Sequence, residues 1–167
     1  MKKLFLLLLI TSLGFSLFAQ EKKGEVELSF GLGFSQFEED LDLGIFANIN
    51  LSYEKNKNVY SLFTASGGVI LGNSFSTYGL TYGRSIYFTK SRLSLQLHTG
   101  VGRYNHTTHS GLFSSRPDRT RTQLGIPVRF KFKVPIYKEF GANLNASIHT
   151  TKDRLYSNLG LELYFRF

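Results

Sequence analysis

The stretch LYSNLGLELYFRF, residues 155–167, decides the fold of this chain. Taken in twos, Leu155, Ser157, Leu159, Leu161, Leu163, Phe165 and Phe167 form one set. Tyr156, Asn158, Gly160, Glu162, Tyr164 and Arg166 form the other. Successive side chains of a strand point to opposite sides, so alternation this long predicts a strand with one apolar and one polar face.

The same period runs back through the chain. Strands are predicted at about 24–34, 43–53, 59–71, 77–88, 93–104, 120–134 and 139–150. In the first, Val26, Leu28, Phe30, Leu32 and Phe34 oppose Glu25, Glu27, Ser29, Gly31 and Gly33. The third has no cleanly apolar parity, and Gly67-Gly68 suggests a bulge that switches faces. In the fourth, Arg84 falls on the apolar parity. Facing lipid at mid-depth it would cost about 2–4 kcal/mol; a bulge near Gly83, or a place nearer the membrane interface, would relieve that. Pro127 in the sixth cannot donate a ladder bond and should mark a local irregularity.

Eight strands put both chain ends on one side, as single-chain bacterial barrels require. Connections after strands two, four and six are short and suit the periplasmic side. Those after one and five are longer and suit the outside, while those after three and seven are also short. The polar faces carry few charges and many small residues: Gly31, Gly33, Gly44, Gly79, Gly83, Gly100, Gly102, Gly125, Gly141 and Gly160. A water-facing exterior should instead be rich in Lys and Glu. Small residues fit the inside of a narrow barrel, so the bulky aliphatic face is expected in lipid. The expected fold is all-β: an eight-stranded antiparallel up-and-down transmembrane β-barrel. The alternative is a secreted, soluble lipocalin-like carrier. Aromatic residues fall into two expected girdles. One, near the periplasmic ends, holds Tyr53, Tyr60, Tyr87, Phe88, Phe132, Tyr137, Phe140, Phe165 and Phe167. The other, near the outer ends, holds Phe34, Phe37, Phe75, Tyr78, Tyr104, Phe113 and Tyr156.

With its terminal aromatic residue, the 155–167 stretch resembles the closing strand of a Gram-negative outer-membrane barrel. The pattern over 20–167 is similar to that of small OmpA/OmpX-type barrels. The resemblance implies an outer-membrane location. It also implies that Phe165 and Phe167 contribute to the signal read by the barrel assembly machinery.

Residues 1–19 read as a signal peptide: Lys2 and Lys3, a greasy run over 4–10, and smaller residues over 11–19. Cleavage after Ala19 leaves 20–167 as the barrel. The 4–18 run falls short of the roughly 20 residues a spanning helix needs. Cysteine is absent, which removes disulfides, a lipid-attachment cysteine and thiolate metal sites. Losing Lys2 and Lys3 takes the formal charge from +8 to +6. On an exported chain that charge favours anionic lipid over nucleic acid.

The charged residues of the polar face, Glu25, Glu27, Arg129, Lys131, Lys133, Glu162 and Arg166, are expected to pair across the lumen, because isolated charges there are costly. Such pairing makes a plug; the alternative is a narrow, gated, porin-like pore. Arg103, Arg116, Arg119 and Arg121 border the long loop, and guanidinium forks match lipopolysaccharide phosphates. The acidic loop at 38–42 does not have calcium-loop spacing. His98 is expected to be hydrogen-bonded in the lumen. His149, Thr151 and Glu162 have a spacing similar to that of lipid A deacylases. Thr151, however, stands where that family has serine, and Lys152 where it has asparagine. No cofactor or metal is expected. The composite expectation is a monomeric, non-enzymatic outer-membrane barrel, structural, adhesive or narrowly porin-like. A lipid A-modifying enzyme is the alternative.

Overall fold

The computed structural model describes residues 24–37, 43–69, 73–88, 93–108 and 119–167. The expected signal peptide, the acidic loop at 38–42, and Phe113 and Arg116 lie outside them. The strands are β1 (Glu25–Phe37), β2 (Leu43–Lys55), β3 (Asn58–Gly68), β4 (Ser74–Tyr87), β5 (Ser94–Thr108), β6 (Arg119–Pro135), β7 (Phe140–Thr151) and β8 (Leu155–Arg166). Each pairs antiparallel with its sequence neighbours, and β8 pairs with β1 to close a barrel.

Several strands run further than the apolar alternation does. β5 and β6 continue to Thr108 and Arg119 through polar pairs such as Asn105 with Thr122 and Thr107 with Thr120. Apolar patterning fades where a strand leaves the lipid band, whereas backbone hydrogen bonding does not need it.

β3 keeps one parity throughout. Val59, Ser61, Phe63 and Ala65 are buried, while Tyr60, Leu62, Thr64 and Ser66 are exposed. Its registers with β2 and β4 run unbroken through Gly67 and Gly68, so the expected bulge is absent. The chemistry, not the backbone, obscured this strand: Phe63 points inward while Thr64 and Ser66 point outward. The ladder is also continuous at Gly83. Arg84 therefore keeps its outward parity and lies near the end of β4. Beside Pro127 the β5–β6 ladder lacks the pairs for Gly100 and Val101 but resumes in the same register. The missing N–H interrupts the strand without shifting it.

β2 and β3 join through Asn56 and Lys57, with φ of 53° and 68°. Two left-handed residues make the tight turn whose twist matches that of a hairpin. Following ladder partners from Val26 leads through Tyr53, Tyr60, Tyr82, Thr99, Val128, Ile148 and Ser157 and back to β1 at Gln36. One circuit thus advances from position 26 to 36. With a rise of about 3.3 Å per residue and strands about 4.8 Å apart, that stagger tilts the strands by about 40°.

Leu159, Leu161 and Leu163 are 54 %, 67 % and 51 % exposed, while Glu162 is 1 % exposed. Aliphatic side chains project outward from every strand, with Leu62 of β3 beside the outward Tyr60. Such an exterior does not fit the soluble-carrier alternative. The expected outer girdle needs correction. Phe34 and Tyr78 do face outward, but Phe75, Tyr104 and Tyr156 are buried in the barrel. Their parity is that of Thr77, Gly102 and Asn158, so they share the inner face.

Candidate functional site

The lumen is built in three tiers, from the end carrying the β2–β3 turn to the end carrying the β5–β6 loop. At the turn end, Lys133 bonds Glu27, and Arg166 lies 3.2 Å from Glu25 and 3.7 Å from Glu27. The Tyr164 ring receives Lys133 Nζ at 4.8 Å and the Arg166 guanidinium at 5.6 Å. A ring face so placed adds a cation–π contribution to the ion pairs.

Glu162 is the centre of the middle tier. Lys131 Nζ lies 2.8 Å from one carboxylate oxygen and Arg129 3.5 Å from the other. Asn48 and Asn145 donate to it at 2.6 and 2.7 Å, and Ser29 and Asn143 at 3.1 and 3.3 Å. These donors come from β1, β2, β6 and β7, and the acceptor from β8, so the network spans the bore. Arg129 also donates to Asn50 Oδ1 at 3.0 Å and lies 4.8 Å from the centre of the Phe63 ring. Burying two cations around one carboxylate is costly, and six side chains converging on Glu162 offset part of that cost. His98 lies in the lumen, with Nε2 3.3 Å from Gln96 Oε1.

The third tier, toward the loop end, is aromatic and was not anticipated. Tyr156 stacks between Phe75 and Tyr104, with ring centres 6.2 Å apart on each side. Tyr104 Oη lies 2.5 Å from His149 Nδ1, and His149 Nε2 lies 2.9 Å from Ser147 Oγ. Glycines make room for this tier. A Cβ at Gly33 or Gly160 would stand 2.7 or 3.0 Å from the Phe46 ring, and one at Gly125 would stand 2.8 Å from Tyr104. The signal was present in the sequence: Phe46 sits between Gly44 and Asn48, and Tyr104 follows Gly100 and Gly102, all on inward parity.

The deacylase-like trio is not assembled. His149 pairs with Tyr156 and Glu162 with Asn143. Those ladder positions are six residues apart on β7, about 20 Å along the strand. Thr151 is engaged locally, its hydroxyl bonding Arg154 O at 3.1 Å. All three side chains face the lumen, away from lipid. Among the described residues, no group of three His, Cys, Asp or Glu side chains could hold a metal ion.

Of the expected lipopolysaccharide contacts, Arg103 faces outward beside Tyr78, with its guanidinium 6.0 Å from the ring centre. Arg119 is exposed at the start of β6. Arg121 is exposed and lies 3.2 Å from Asp153. At the terminus Phe165 is outward, and Phe167 exchanges backbone hydrogen bonds with Val26 at 2.8 and 3.3 Å.

Comparison with solved structures gives three close matches in shape. Neisserial surface protein A superposes with a TM-score of 0.69 at 11 % identity, covering 89 % of this chain and 99 % of that one. The N-terminal barrel domain of Pseudomonas aeruginosa OprF gives 0.67 at 12 %, covering 89 % and 100 %. Ail, the attachment invasion locus protein of Yersinia pestis, gives 0.65 at 18 %, covering 87 % and 100 %. The fold is that of the small outer-membrane barrels. No protein-family model matches the chain, and no curated protein does.

Proposed function

We propose that this chain is an integral outer-membrane protein that works as a closed barrel, presenting its loop end outside the cell, rather than as an enzyme or an open pore. Residues 1–19 act as the signal peptide, and 20–167 form the barrel, a monomer inserted by the barrel assembly machinery through its terminal aromatics Phe165 and Phe167. One observation carries the closed-lumen reading: Glu162 is bonded from β1, β2, β6 and β7 at once, with stacked rings above it. An eight-stranded bore is just wide enough for side chains to fill. Planar-bilayer recording tests it. The expected result is no stable conductance; large, stable channel openings would replace the plug with a pore. Lipid A mass spectra should be unchanged on expression, and a lost acyl chain would restore the enzyme reading.

The exposed Arg103 and Arg119 support an adhesive or anchoring role toward phosphorylated or sulfated saccharides at the loop end. Ail has been solved in complex with the heparin analogue sucrose octasulfate. Here the corresponding ligand is the lipopolysaccharide phosphate, with Arg103, Arg116, Arg119 and Arg121 as its contacts. Replacing all four with Gln should weaken lipopolysaccharide binding at least tenfold, measured by surface plasmon resonance, and flatten its salt dependence. Equal binding by the variant would remove these residues from the role.

A further inference from the structure

Outward residues of β2 to β5 form graded rows of ladder partners at the turn end. The first is Lys55, Asn58, Arg84 and Leu97. The next, about 7 Å along the strands, is Tyr53, Tyr60, Tyr82 and Thr99. Beyond it come Leu51, Leu62, Leu80 and Val101. Cation, phenol and aliphatic thus follow one another in the order of a phospholipid's phosphate, glycerol and acyl chain.

A groove of about 570 Å³ is sunk into the second and third rows. Tyr60, Tyr82, Leu80 and Val101 line it, and Thr99 and Gly100 supply little bulk. Ligand pockets have roughly 300–1,000 Å³, and this groove, open toward the lipid, has a volume in that range. Its walls are fixed: Tyr82 Oη donates to Asn58 Oδ1 at 2.8 Å, and the Tyr60 and Tyr82 ring centres are 5.4 Å apart. Glu54, next to Lys55 in sequence, has inward parity. It is engaged inside the barrel by Tyr87 and by Gln96 at 3.2 Å.

We infer that this face is a binding site for one anionic glycerophospholipid of the leaflet at the turn end. One acyl chain lies in the groove, and the phosphate meets Arg84 and Lys55. The inference rests on the membrane-barrel reading above. It also accounts for an arginine on the lipid-facing parity: the guanidinium fork is placed where a phosphate arrives.

The test is native mass spectrometry of the full chain, released from detergent after incubation with dioleoyl phosphatidylglycerol. The wild-type barrel should retain one lipid. The double variant Arg84→Gln/Lys55→Gln should lose the charge contacts, and Thr99→Phe should fill the groove. Each should reduce retention at least tenfold. Lys138→Gln, which removes a cation at the exposed β6–β7 turn away from the groove, should not. Heat-dependent gel mobility establishes that each variant is folded. Equal retention by wild type and variants overturns the site, as does a dimer of barrels in place of a lipid adduct. A protein that stays in solution without detergent overturns the membrane reading itself, which is a separate result.

Discussion

Glu162 is the acceptor on which the lumen charges converge. Lys131 and Arg129 are both nearly inaccessible to solvent, and Glu162 is the carboxylate that both of them contact. Glu162→Gln keeps the shape and two hydrogen-bonding positions but removes the counter-charge. Removing one partner of a buried ion pair costs about 3–5 kcal/mol. The variant should unfold at correspondingly lower urea in lipid vesicles, and an unchanged midpoint would show that the network is hydrated and weak. The charge of Glu162 and its inward parity could be read from alternation alone. Its partners could not, because which residue of β6 stands across the bore depends on the stagger, and local periodicity is silent about stagger.

Among the elements, β8 was the most legible and β3 the least. β8 alternates Leu with Gly, Glu and Asn, so hydrophobicity and direction agree. In β3, Phe63 fills the lumen against Gly79, where a Cβ would stand 2.9 Å from the ring, while Thr64 and Ser66 face outward near the loop end. A tightly filled interior rewards ring volume as well as polarity, so an apolar/polar criterion misreads a strand with inward rings. The same confusion placed Phe75, Tyr104 and Tyr156 in a girdle. The lipid face can be tested strand by strand. Leu161, at mid-strand, and Leu43, at the loop end, are 67 % and 68 % exposed, nearly identical. In water, Arg at either would matter equally little. In a bilayer, Leu161→Arg should cost about 2–4 kcal/mol and Leu43→Arg about 0–1, read from vesicle unfolding midpoints. Equal costs would mean that exposure to lipid does not set the stability of this face.

At the scale of the whole molecule, eight strands, antiparallel order and outward aliphatics were all available from period and number. The circuit from Val26 to Gln36 was not, and it sets both the tilt and the bore. What closes the circuit is the pairing of β1 with β8, from Glu27 with Arg166 to Phe37 with Tyr156. The seven other interfaces join neighbours in sequence and can form as hairpins while the chain is still emerging. This one joins the first and last strands of the barrel and carries the largest loop-closure entropy. Until the final strand arrives, β1 waits with a naked edge of amides and carbonyls, open to any passing strand. The order of synthesis therefore makes β8 a latch. Its arrival ends the interval in which the half-made cylinder is vulnerable to mispairing, and it is on that interval that escorting factors in the periplasm would have to act.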